Sequence, residues 1–217
     1  MRRLLIAVLL ALAGALPAAP PGDAPTTGAD QPTLQLQPFP ATFAGTLPCA
    51  DCPGIRYSLN LFTDHTYHLR AEYVGKEPAT ASDDVGHWSV SNGDRRLDLH
   101  GNREKVLRFV LKDTGRLRKL DVEGREIESI LNYDLVREPA FVAFEPRVRI
   151  RGMYRYLADA ALLRECVTER RLAIPARADN LALEQAYLKA RREPGEERLI
   201  NAEIRIVMQP RMDGPGE

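Results

Sequence analysis

Cys49 and Cys52 stand three positions apart in the string LPCADCPG. A C-x-x-C pair has three chemical uses: a local disulfide, a thiol–disulfide couple, or a two-sulfur site for a soft metal ion. The flanking residues narrow the choice. A thioredoxin-type enzyme activates its first Cys at a helix N-terminus, whereas here Pro53 biases Cys52 away from helical backbone and Gly54 breaks the helical register again, which predicts a loop between strands. Dithiol exchange of that type also needs a βαβ context, which the β-rich sequence around the motif does not supply. In an oxidising compartment a Cys49–Cys52 disulfide is the expected resting state. It closes so short a loop that chain entropy lends it little stabilising power, which suits sensing better than holding a fold together. Reduced, the two thiolates suit Cu(I) or Zn(II).

The other reactive side chains do not obviously join this pair. His65, His68, His87 and His100 lie in the same half of the chain. An odd offset of three puts His65 and His68 on opposite faces of a strand, and His87 and His100 fall near strand ends, so all four are expected on a solvated rim. Cys166 is the odd cysteine, and its neighbours Leu162 and Leu163 favour burial. The carboxylate neighbours Asp83/Asp84 and Glu126/Glu128 are read as solvated hairpin positions. No G-x-S-x-G, H-E-x-x-H, P-loop or G-x-G-x-x-G string occurs, so no enzyme class is indicated.

The elements that must position these residues are mainly β. In 217 residues, 44% are apolar and 28% charged, with 30 Lys and Arg against 30 Asp and Glu, the profile of an ordinary soluble protein. The absence of a net positive charge or a long basic run argues against nucleic acid as a partner. Arg2 and Arg3, the apolar run Leu4–Leu12 and the small-residue Ala13-Gly14-Ala15 form a secretory signal over 1–15, too short to span a bilayer. A proline-rich flexible spacer over 16–42 follows, with seven of the sixteen prolines between Pro17 and Pro40. From 43 to 138, about seven short runs of β-type composition alternate with turns rich in Asn, Asp and Gly, predicting an antiparallel meander that closes into a small, lipocalin-like barrel. Pro139 and Pro146 bracket a linker over 139–146. Over 147–213 the pattern is three strands, a helix begun by Asp179 or Asn180 with Leu181, Leu183, Tyr187 and Leu188 as its stripe, and a last alternating strand. That order fits an OB-fold-like barrel with one helix.

Several strings resemble one family. FAGTLPCADCPGI, the Thr66-Tyr67 turn, Gly86-His87-Trp88, LDVEGREIES and LNYDLVR are similar to the N-terminal domain of the NlpE family, and RGMYRYLADAALLREC with LALEQAYLKARR to its C-terminal domain. The resemblance implies a small antiparallel barrel followed by an OB-type barrel, no catalytic residues and no required cofactor. It also implies a role in copper resistance and in envelope-stress reporting to an inner-membrane sensor kinase of the Cpx type. Cys49 and Cys52 are then the redox site and the metal pair for copper. Two departures stand out. Ala15 follows Leu12-Ala13-Gly14 where the family's lipoprotein signal has its acylated Cys, so a soluble periplasmic protein without a lipid anchor is expected. Cys166 lacks a partner for the paired disulfide that the family's second domain can carry. The rival reading is a lipocalin-like periplasmic module that binds a small apolar ligand inside the barrel; strands of about six residues predict instead an interior filled by side chains.

Overall fold

Alternating apolar side chains line the inside of eight antiparallel strands, each hydrogen-bonded to the next: β1 (Ala41–Leu47), β2 (Ile55–Leu61), β3 (Thr66–Tyr73), β4 (Thr80–Ser91), β5 (Arg96–Gly101), β6 (Leu107–Asp113), β7 (Arg116–Lys119) and β8 (Asp134–Arg137). The computed structural model describes residues 36–208 apart from 77–79, 92, 94 and 178. The expected signal, the lipid-attachment position and most of the proline-rich spacer therefore lie outside the described residues.

β1 closes the barrel by pairing with β8, Phe43 opposite Arg137 and Ala44 opposite Val136. Closure removes the exposed strand edges that would otherwise invite pairing with other chains. The approach is close: a Cβ on Gly45 would lie 2.5 Å from the Asp134 carbonyl oxygen, so only glycine fits where the two strands meet. The sequence pattern counts seven strands here. The one it misses is β1, ATFAGTL, whose Ala, Gly and Thr carry weak strand signal and whose place is decided by partners on both sides.

The interior is packed solid. Phe43, Leu59, Leu69, Leu97, Phe109, Leu117 and Leu135 are wholly buried, with Trp88 and Tyr67 beside them. Each buried Leu or Phe contributes about 1.5–3 kcal/mol relative to exposure, so this core is the main stabilising element. Among the described residues the barrel interior is occupied by these side chains, as strands of about six residues predict. Leu36 is buried in the same core, within the segment expected as spacer, and Phe39 packs on Trp88 with ring centroids 5.4 Å apart. Arg137 holds this strap by donating to the carbonyl oxygens of Leu36, at 2.7 Å, and Pro38.

Residues 139–146, expected as a linker, lie against the outer wall of the barrel. Thr42 donates to Asn60 Oδ1 at 2.8 Å, Asn60 Nδ2 donates to the Val142 carbonyl at 3.0 Å, and the Val142 N–H returns a bond to Thr42 Oγ1 at 2.9 Å. This ring of bonds satisfies two buried polar side chains that point away from the core. Phe141 sits edge-on to Phe62 at 5.9 Å, and Phe144 to His68 at 6.2 Å.

The second unit is an antiparallel sheet of β9 (Arg147–Leu157), β10 (Ala160–Glu165), β11 (Arg171–Ile174) and β12 (Arg198–Arg205), in the order β11-β10-β9-β12, with the helix α1 (Asn180–Ala190) between β11 and β12 in the chain. The described residues thus contain four strands and the expected helix. α1 differs from its sequence pattern: Leu181 and Leu188 are exposed, and the helix docks through Tyr187, whose ring stands edge-on to Tyr154 at 5.4 Å, with Leu183 partly buried. Tyr187 also donates to the Glu196 carbonyl at 2.7 Å. The Asp179 side chain makes no capping bond; its carbonyl accepts the Leu183 N–H at 3.1 Å. A helix of 11 residues over a narrow sheet touches it along one line only, so half of a four-residue apolar stripe stays in water.

Candidate functional site

The β1–β2 connection, residues 48–54, carries the cysteine pair at the rim of the barrel. Cys49 and Cys52 are joined by a disulfide, S–S 2.04 Å and Cα–Cα 5.3 Å. Both are half-buried, while Ala50, Asp51 and Pro53 are exposed. The loop is a loop, as Pro53 and Gly54 predict, because strand β2 starts immediately after them. Its position is fixed from behind: Val74 donates to the Gly54 carbonyl at 3.0 Å, and Gly75, at φ +75°, lies against the Pro53 ring. In front, Lys76 pairs with Asp51 at 3.1 Å and lies over the Tyr73 ring at 5.1 Å.

Asp51 joins the two sulfurs. The ligand atoms of Cys49, Asp51 and Cys52 lie within 4.8 Å of one another. As a disulfide the two sulfurs are held by each other; as thiolates they form a soft pair beside a hard carboxylate. That donor set fits Cu(I) through sulfur and offers Zn(II) three of its four preferred ligands. The cysteine spacing alone does not point to Asp51; its place between the two cysteines in C-A-D-C is the signal in the sequence that does.

No histidine enters this cluster. His65, at φ 61° in the β2–β3 turn, is exposed and stacks on Trp88 with centroids 4.3 Å apart and planes 5° from parallel. His87 and His100 face each other across β4 and β5. His68 corrects the expectation of a solvated rim: it is 3% exposed, enclosed by Phe62 and Phe144, with no hydrogen-bond partner for Nδ1. Burial, helped by the Arg170 guanidinium and opposed by Asp64 and Asp83, pulls its pKa down to about 4, so it is neutral at ordinary pH.

The Asp83/Asp84 pair is likewise not a solvated hairpin. Asp84 faces inward, where it accepts from the Tyr67 hydroxyl at 2.8 Å and the Asn102 N–H at 3.1 Å and pairs with Arg103 at 3.3 Å. Burial and this carboxylate push the Tyr67 pKa upward, so the phenol remains a donor. Asp83 faces outward onto Arg70, and its side chain is 4% exposed. Glu126 is exposed and paired with Lys112. Cys166 is exposed, not buried: it follows the last residue of β10, where the strand leaves the sheet, and has no sulfur partner.

A closed antiparallel barrel with a rim C-x-x-C, followed by a small β unit with one helix, defines a two-domain, mainly β class of protein. The family model described as the NlpE N-terminal domain matches residues 43–130, and that described as the NlpE C-terminal OB domain matches 144–217. The protein "Lipoprotein NlpE" of Escherichia coli (strain K12) is 34% identical over 180 residues, covering 82% of this chain and 73% of that one. The chain belongs to the NlpE family. Among solved structures, that of the Cpx pathway activator NlpE from Escherichia coli is 32% identical, with a TM-score of 0.36 over 79% of this chain and 87% of the other. A putative lipoprotein from Shewanella oneidensis is 24% identical, with a TM-score of 0.40 over 47% of this chain and 91% of the other. Family membership rests on the sequence matches.

Proposed function

We propose that this protein is a non-enzymatic, periplasmic envelope-stress protein of NlpE type, which reports to an inner-membrane sensor kinase of the Cpx class and uses Cys49 and Cys52 as its redox- and copper-responsive site. The observation that carries the reading is the placement of the disulfide. It sits on a rim loop whose flanking strands are held in register by seven β1–β2 pairs of their own. A bond with so small a structural duty is free to follow its surroundings. Two electrons and two protons from a periplasmic dithiol convert it to two thiols. Loss of the thiol protons then gives a two-thiolate site, to which copper would bring only its preference for sulfur.

The test is a titration of reduced wild type and of a Cys49→Ser, Cys52→Ser variant against a competing Cu(I) chelator. One tightly held Cu(I) in the wild type and none in the variant is the expected result; equal affinities would make the loop a structural clip. For the partner, a Cpx-responsive reporter should rise when the chain is overproduced and stay flat in cells lacking the kinase.

A further inference from the structure

The two faces of the second sheet are of opposite character. Val148, Ile150, Tyr154, Ala161 and Leu163 form its buried side, in one apolar cluster with Val85 of the barrel and Tyr187 of α1. The alternate residues point the other way, and seven of them are arginine: Arg147, Arg149, Arg151 and Arg155 on β9, Arg164 on β10, Arg171 on β11 and Arg205 on β12. The strand register sets them side by side, Arg147 opposite Arg205 and Arg164 opposite Arg171. Three carboxylates answer them: Glu203 pairs with Arg149 at 3.3 Å, Glu197 with Arg164 at 2.8 Å and Glu145 with Arg205 at 3.4 Å. Arg151, Arg155 and Arg171 make no ion pair among the described residues. Arg155, Arg164 and Arg171 instead all lower the pKa of the single carboxyl of Glu197.

This concentration of charge is local. Residues 147–208 carry 13 Lys and Arg against 9 Asp and Glu, whereas 36–146 carry 14 against 17. Apolar side chains fill the gaps in the arginine array. Met153 and Leu162 floor a cavity of about 120 Å³ walled by Arg155, Arg164, Arg171 and Glu197, and Leu199 is 52% exposed next to Met153.

We propose that this arginine face is a docking surface for an anionic bilayer, binding its phosphate-bearing headgroups. Three features favour a lipid surface over other anions. The charges spread in two dimensions, over four strands and most of the length of β9, roughly 14 Å by 27 Å at ordinary sheet spacings, which matches an array of headgroups better than one extended acidic segment. All seven cations are arginine, whose fork suits phosphate oxygens. The interleaved Met153, Leu162 and Leu199 supply short apolar contacts at the depth of the headgroup boundary, while the arginine stems run alongside them.

Sedimentation of the full chain with vesicles tests this. Binding is expected to vesicles containing 30% phosphatidylglycerol in phosphatidylcholine, to be absent with phosphatidylcholine alone and to weaken steeply with salt. An Arg149→Glu, Arg151→Glu, Arg155→Glu variant should partition roughly a hundredfold more weakly, at about fivefold per arginine. An Arg56→Glu, Arg125→Glu variant on the barrel should bind as wild type. If the reversed charges disturb the sheet, seen by circular dichroism, the corresponding triple Arg→Gln variant replaces them, with a loss of the same direction. No vesicle binding, equal loss in both variants, or binding to poly-glutamate without binding to vesicles would each overturn the proposal, the last in favour of an acidic protein partner.

Discussion

Arg70 on β3 grips Asp83 on β4 through two hydrogen bonds of 2.8 and 2.7 Å, and the same carboxylate accepts the backbone N–H of Arg147 at 2.8 Å. One ion pair on the outer wall of the barrel thereby fixes the first residue of the second unit. Arg70 adds a bond to the Glu145 carbonyl at 2.9 Å and covers the Phe144 ring at 4.7 Å. Beyond it, Arg170 of the second unit pairs with Asp64 of the barrel at 2.6 Å. Among the described residues, charge couples the two units at these two points, and the buried His68 of the barrel wall lies against Phe144 of the connector.

Asp83→Ala leaves Arg70 without its carboxylate and the Arg147 N–H without its acceptor. Removing one member of a largely buried pair is expected to cost about 2–4 kcal/mol. Thermal unfolding should show a lower midpoint, and limited proteolysis should cut faster within 138–146. An unchanged midpoint and cleavage rate would mean that the pair is decorative.

His68 predicts an acid-side loss of stability. Its folded pKa of about 4 lies below the ordinary 6.5, so below 6.5 the unfolded chain takes up a proton that the folded one refuses. The stability is fully present above pH 6.5 and lost as the pH falls from there towards 4, by about 3 kcal/mol in all. Urea midpoints at pH 7, 5.5 and 4.5 should fall in that order for wild type. His68→Phe should flatten the dependence across that window, and a slope identical to wild type would assign it to other groups.

The cysteines predict a labelling pattern. Alkylation of the unreduced protein under denaturing conditions should modify Cys166 alone, and all three cysteines after reduction. Because Cys166 is exposed, it should also label in the folded state. Labelling of three thiols before reduction would remove the disulfide from the resting state.

Loss of that disulfide should be tolerated. A four-residue loop contributes about 2 kcal/mol by chain entropy, so Cys49→Ser, Cys52→Ser should lower the unfolding midpoint by roughly 4–8 °C and leave the far-ultraviolet spectrum of the barrel intact. Collapse of the β-sheet signal would instead make the bond a structural requirement.

Tyr67 and Asp84 form an internal polar node, and its two ends should respond unequally. Tyr67→Phe leaves Asp84 with the Asn102 N–H and Arg103, at about 1 kcal/mol. Asp84→Ala removes the acceptor of the Tyr67 hydroxyl and of the Asn102 N–H together with the ion-pair partner of Arg103, and should cost about 2–3 kcal/mol by chemical denaturation. Equal effects would place the worth of the node in packing alone.

The sequence alone determined those features that depend on neighbours within a few residues. Alternation in Leu97/Leu99 and Leu107/Phe109/Leu111 marks strands because successive side chains of a strand point to opposite faces, and Pro53 with Gly54 makes the cysteine motif a loop through local backbone restriction. Tertiary structure decided what depends on residues far along the chain. β1 exists as a strand because Phe43 meets both Leu59 and Arg137, and Leu36 is core because Arg137, 101 residues on, holds its backbone against the barrel. Asp83, Asp84 and His68 look like surface residues in a polar stretch. They are buried because Arg147, Tyr67 and Phe144 arrive from elsewhere, and the partner that makes burial tolerable for a charge is supplied only when the chain folds back on itself.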